Sequence, residues 1–485
     1  MEQIIAFINK GMPLSEADIV YPHSLHYRDE KACFSADLAG REVLIAESSL
    51  GFHGTTFKAG NNEWTLAEQT HENATVLRRL FPFTVPSSVL KYDRSCGVGD
   101  RLGIATPGHI RVFQEYDSYP VFAQQSIREL SLTNRTFNDV LDCVSFAVFR
   151  ENYTRGFGAD GNHLKTAEEV AHALSCGYSM ITLDCSEHIR SGVSRMTDAQ
   201  VSAAYSAVPA LERKYVGKAF DIEGITFSID AQSFRRMYLT YYDAIEFAAS
   251  IYHQLISKKE NPPDFEISID ETDTATTPAQ HFFVANELLS KNVLPATIAP
   301  RFCGDFQKGI DYIGDLTQFE MEFKVHAAIA RKFGYKLSIH SGSDKFSVFA
   351  AIGKYTGGCF HLKTAGTSWL EAMRIIAQYN PTLYRRCHHF AHEEAFATAK
   401  KYYHVTTNLA NIPSLDTLSD EELPALFENN DARQLIHITY GQILSEPTLR
   451  KSLFDTWHTY REEYADALHA HIGKHLALIY SGFRS

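Results

Sequence analysis

Gly156-Phe157-Gly158-Ala159-Asp160-Gly161-Asn162-His163-Leu164-Lys165 sets an acid and an imidazole close together in a glycine-rich turn. A helix start follows at once, because Thr166 and Glu169 have capping-box spacing ahead of Val170, Ala173 and Leu174. Glycine lets the backbone take conformations that other residues resist, and Asp and His are side chains that move protons or hold metals. Alone, the stretch could be an ordinary capped loop. Its pattern of polar residues directly after an apolar run recurs along the chain, and that recurrence decides the fold.

On either side of this stretch lie further short β-rich runs, eight in all. They lie near Gly99–Ala105, at Val121–Ala123, leading into Gly158–Asp160, and at Met180–Asp184, Phe265–Asp270, Ala296–Ala299, Lys336–His340 and Phe360–Lys363. Helical periodicity separates many of them, at Phe137–Arg150, Ala167–Leu174, Ala279–Leu289, Glu320–Phe333 and Ser368–Ala377. Strand–helix alternation repeated eight times predicts an α/β fold, a (β/α)8 barrel, with a doubly wound sheet as the alternative. Residues 1–90 read as an N-terminal α/β extension, with a strand at Arg41–Ala46 and a helix from Leu66 to Leu80. Residues 91–380 then form the barrel, interrupted by a mostly helical insertion at about 197–258, and residues 381–485 form a helical region covering it.

With 485 residues the chain exceeds the roughly 250–300 at which single cores stop growing. A hydrophobic content of 45% with 21% charged residues marks a soluble globular protein. No apolar run is long enough to span a membrane, and Met1–Phe7 is too short and acidic for a signal peptide. The net charge of −12 argues against nucleic acid as a partner, but not against a small anionic substrate, which needs only a few local cations. Eight scattered cysteines without a CxxC pair exclude a zinc ribbon and indicate a reduced, cytoplasmic protein.

In a barrel the reactive side chains stand at the carboxyl ends of the strands. Those ends offer Asp160 and His163; Asp184, Glu187 and His188; Glu266, Asp270 and Glu271; Arg301, Asp305 and Gln307; His340; and His361 with Lys363. His163 and His340 are the first choices as ligands of a divalent cation, with Gln307 or Asp305 completing the set. Asp160 and Glu266 are the best acid/base pair, since a charge inside a β-run such as that of Glu266 is costly unless it faces a polar cavity. Ser341-Gly342-Ser343-Asp344-Lys345 suits an anionic group or an ordinary turn. Neither a Walker motif nor a Rossmann GxGxxG is present.

Several stretches are similar to those of bacterial tagaturonate/fructuronate epimerases, some of which serve as tagatose 4-epimerases. They are Gly99–Gly103, Ala105–His109, Gly156–Lys165, Lys308–Asp315 and Lys336–Phe346. The resemblance runs through nearly the whole chain. It implies an isomerase that interconverts the ketohexuronates D-tagaturonate and D-fructuronate with a divalent metal (Zn, Mn, Ni or Co), in hexuronate catabolism. By position it implies Asp160 and Glu266 as the acid/base pair and His163, Gln307 and His340 around the metal. Because C4 is not adjacent to the C2 carbonyl, simple α-proton abstraction cannot invert it. The expected route is retro-aldol cleavage between C3 and C4, and the rival is transient oxidation at C4, which needs a bound nicotinamide for which the sequence shows no site. The competing readings are a class II-type aldolase acting on a sugar acid or phosphate and a non-catalytic sugar-binding barrel. Assembly into a homo-oligomer is left open, as is the choice of Lys345, Lys363 or Arg101 to hold the substrate carboxylate.

Overall fold

The computed structural model describes residues 19–484 apart from 39 and 61, so the Met1–Phe7 reading lies outside the described residues. Eight parallel strands close into a barrel: β1 (Arg94–Gly97), β2 (Tyr119–Ser126), β3 (Gly158–Leu164), β4 (Met180–Asp184), β5 (Asp264–Ile269), β6 (Thr297–Pro300), β7 (Lys336–Ile339) and β8 (Phe360–Lys363). The expected (β/α)8 architecture is present, and a doubly wound sheet is excluded because β8 pairs with β1. The first strand lies earlier than expected, since residues 99–105 form the loop after it, turned by Asp100 accepting the amides of Leu102, Gly103 and Ala105. The capping box expected at Thr166 and Glu169 is formed and starts the helix Ala167–Ser175.

Before the barrel, a six-stranded antiparallel sheet packs on the helices His71–Leu80 and Phe137–Arg150 through Cys33, Leu44, Leu77, Phe146 and Phe149. The expected helix from Leu66 is shorter: Asn62–Glu68 is a strand, and the helix begins only after Thr70, whose side chain caps Asn73. Between β4 and β5 the excursion holds two short helices and a hairpin, Lys218–Ile222 with Ile225–Ile229. The 21-residue helix Ala231–Ile251 that follows packs against Pro278–Ser290, on the outside of the barrel.

After β8 the chain is helical, as expected, and has its own apolar core, centred on Trp369, Tyr440, Trp457 and Leu468. The final helix, Arg461–Ser481, lies along the barrel flank against Thr106–Glu115 and Phe346–Thr356. The shorter helix Asn430–Ile438 reaches the barrel mouth instead.

Candidate active site

Inside the barrel the register aligns a row of polar side chains. Thr182 of β4 stands opposite Glu266 of β5, and Glu266 opposite Thr297 of β6. On the neighbouring β3, the register with β4 slips by one residue between Ile181 and Leu183. This bulge holds Asn162 and His163, and His163 adopts the left-handed region (φ 53°), uncommon for a residue with a Cβ. A local kink of this kind re-aims side chains, and both residues line the cavity at the carboxyl end of the barrel.

Asp160, Glu266 and Lys363 form a buried triad. Lys363 Nζ lies 3.0 Å from Asp160 Oδ2 and 2.6 Å from Glu266 Oε1. It also donates to Asn162 Oδ1 at 2.8 Å and to the Thr182 hydroxyl at 2.5 Å. That hydroxyl lies 2.9 Å from Asp160 Oδ1, while Thr297 donates to Glu266 Oε2 at 2.6 Å. The proton affinities of the two carboxyls are thereby driven in opposite directions. Burial, reinforced by the nearby Glu266 charge, raises the Asp160 carboxyl above its ordinary range despite Lys363. For Glu266 burial is outweighed by Lys363 and His340, which hold it well below. Lys363 lines the cavity, whereas Asp160 and Glu266 lie beneath it.

His163 and His340 are brought together, their ring centroids 5.0 Å apart. His340 places Nε2 2.7 Å from Glu266 Oε1; burial pulls its imidazole down, but Asp270 and Glu266 prevail and push it up to about 9. Two ring nitrogens remain over. Nδ1 of His163 and Nδ1 of His340 are buried without a hydrogen bond, facing Asp184 at 3.4 Å and Asp270 at 3.3 Å. His163, Asp184 and Glu271 each bring one ligand atom within 4.8 Å of the others. A ligating imidazole commonly donates its second N–H to a carboxylate, as His340 can to Glu266. The donor set therefore suits a divalent cation that takes imidazole and carboxylate ligands.

Gln307 is not brought to the histidines' cavity wall. Its carbonyl oxygen accepts from the Thr406 amide and from Gln434, both at 2.9 Å, and its amide nitrogen donates to Asp305 at 2.8 Å. These bonds pin the loop after β6 to the C-terminal region. The loop after β7 is likewise closed: Lys345 donates to the carbonyls of Gln307, Ile310 and Ser343, and Asp344 is bound by Arg433 at 2.6 Å and His471 at 2.6 Å. It is thus a turn rather than an open anion cradle. A second cluster, Asp344 with His471 and His475, has metal-like spacing, but the Arg433 guanidinium already supplies its cation.

The cavity over this floor measures about 1290 Å³, beyond the roughly 300–1,000 Å³ of most small-molecule sites. Selection must therefore come from groups on its wall. Lys308, His437 and Gln442 belong to that wall but were not among the residues singled out at strand ends. Lys308 stood within the quoted Lys308–Asp315 stretch; His437 carried no signal, arriving from a helix that follows the barrel in sequence.

Comparison with known proteins identifies the family. A family model described as tagaturonate epimerase matches residues 21–479. A tagaturonate/fructuronate epimerase of Thermotoga maritima is 40% identical over 469 residues, 95% of this chain and 96% of that protein. Two crystal structures of the fructuronate-tagaturonate epimerase UxaE from Cohnella laeviribosi, native and with one glycerol, each superpose with a TM-score of 0.93 at 48% identity, over 99% of both chains. The closed barrel and these relatives together define a (β/α)8-barrel enzyme of the isomerase class, an epimerase. This chain belongs to the tagaturonate epimerase family. Among the described residues no helix is long and apolar enough to cross a membrane, and the eight cysteines are free thiols.

Proposed function

We propose that this enzyme interconverts D-tagaturonate and D-fructuronate at C4 by retro-aldol cleavage and re-addition, with a divalent cation bound by His163, Asp184, Glu271 and His340. The observation that carries the reaction is the match over 95% of the chain to a relative bearing that name. A cation held there would supply Lewis-acid polarisation of the substrate's C2 carbonyl. The chain's own groups support the proton transfers. Lys363, on the cavity floor, takes the C4 hydroxyl proton on Nζ while passing one of its own to Asp160 Oδ2, 3.0 Å away. The C3–C4 bond breaks, leaving a C4 aldehyde on one fragment and an enediolate on the other. After the aldehyde turns its opposite face, the C3–C4 bond re-forms and the proton returns from Asp160 through Lys363 to the new C4 oxygen. Glu266, kept ionised, positions Lys363 and His340 rather than touching substrate. Gln307, first expected as a ligand, serves in this reading to fasten the loop that carries Asp305.

The test is conversion of D-tagaturonate by purified protein before and after chelation, with Zn, Mn, Ni or Co then restored. Formation of D-fructuronate that stops with chelator and returns with metal supports both parts. Conversion that survives thorough chelation removes the cation, and lasting release of a three-carbon product replaces the epimerase by an aldolase.

A further inference from the structure

Six lysine and arginine side chains line the cavity: Arg101, Arg128, Lys165, Arg301, Lys308 and Lys363. Lys363 is neutralised by Asp160 and Glu266, and Lys165 sits beside Ser186, Asp184 and Glu187. Arg128 donates to the Tyr402 carbonyl and stacks over Tyr403, and Arg301 donates to the Thr272 carbonyl. Arg101 and Lys308 are different. Arg101 spends Nε and Nη2 on one oxygen of Glu129, at 2.9 and 2.8 Å, and lies over the Tyr440 ring. Its Nη1 is buried with no hydrogen-bond partner. Among the described residues the Lys308 ammonium, which carries three N–H donors, makes one hydrogen bond, to Ser341 Oγ at 3.0 Å.

His437 completes the wall. Its ring is buried and both nitrogens lack partners, which is unusual for a side chain that must carry at least one N–H. The chain makes room for it with two glycines: a Cβ on Gly366 would stand 2.3 Å from Cε1, and one on Gly309 would stand 3.2 Å from Nδ1. Burial, then Arg101 and Lys308, keep the imidazole well below its ordinary value, so it is neutral and offers one N–H. Glu129 is the one carboxylate in direct contact with Arg101, and Asp270 and Glu271 act on the Lys308 ammonium only from a distance, so three kinds of donor stand together unused.

We infer that Arg101, Lys308 and His437 form the pocket that binds the C6 carboxylate of the substrate, with Lys308 as its contact on the cavity surface. This rests on the hexuronate reading of the site. It also gives that reading a geometry, because a fragment anchored by its carboxylate can rotate about its C4–C5 bond without leaving the cavity.

The test separates the two. Calorimetry with D-gluconate, a six-carbon carboxylate without a ketone, measures anion binding without turnover, and D-glucitol is the neutral control. Lys308→Met should weaken D-gluconate about 10- to 100-fold, the loss of one charge-assisted contact, with Lys308→Arg retaining most of the affinity. For turnover, Lys308→Met should raise the KM for D-tagaturonate by a similar factor with a smaller change in kcat. D-Gluconate binding no tighter than D-glucitol, or equal in Lys308→Met, overturns the pocket. Intact D-gluconate binding with no conversion of D-tagaturonate by the unaltered enzyme strikes the reaction instead.

Discussion

The ammonium of Lys363 and the carboxylate of Glu266 stand 2.6 Å apart with both side chains buried. Such a pair contributes modest net stability while intact, but removing one partner leaves a charge in the interior. Lys363→Met should lower unfolding free energy by about 3–5 kcal/mol in urea titrations at neutral pH. Turnover should fall at least about 100-fold, as for loss of a general acid/base. Turnover within a few-fold of the unaltered enzyme would remove Lys363 from the chemistry.

Retro-aldol inversion leaves the C4–H bond intact. Fructuronate formed in deuterium oxide should therefore carry no deuterium at C4, as read by NMR or mass spectrometry. Incorporation there would require a mechanism that breaks that bond.

Glu271 is exposed, so Glu271→Gln tests the cation with little burden on folding. Bound metal after dialysis should drop, with affinity for the added divalent ion falling about 10- to 100-fold. Asp344→Asn, at the cluster that Arg433 already fills, should leave metal content unchanged. Equal losses in both variants would place the cation elsewhere.

Stability should fall steeply on acidification. Burial holds His109 down to about 4 and His326 to about 3, so both are neutral in the fold. Unfolded histidines take up protons from about pH 6.5 downward. Because the unfolded chain binds more protons in that window, the stabilisation is complete above about 6.5 and lost as pH falls toward 4 and then 3. Urea midpoints between pH 7 and 4 should show it, and His109→Gln should flatten the slope. An unchanged slope would exclude His109 as a contributor.

Legibility of the fold followed local chemistry. Met180–Asp184 and Phe360–Lys363 were readable to the residue, since each is an apolar run closed by a charge. Arg94–Gly97 was not, because Arg-Ser-Cys-Gly has no β-branched residue and is a strand only through its neighbours β8 and β2. The hairpin at 218–229 did carry a signal, alternating residues around Glu223-Gly224, both with positive φ. In the site, Asp160, Glu266, His163 and His340 stood out as ionisable groups at apolar strands, and the structure clusters them. What Gln307 touches depends on Thr406 and Gln434, roughly a hundred residues on, and no local pattern encodes that pairing.

The same ties bear on when the enzyme comes alive during synthesis. All eight barrel strands have been made once Lys363 is joined, yet Gln307, Asp344 and Gly366 still await Gln434, Arg433 and His437. A nascent chain halted near residue 400 would hold its metal-type ligands and triad but have open, unfastened loops above them. Catalytic competence on the ribosome should thus appear late and abruptly, with emergence of the helices Asn430–Ile438 and Arg461–Ser481 rather than with closure of the barrel.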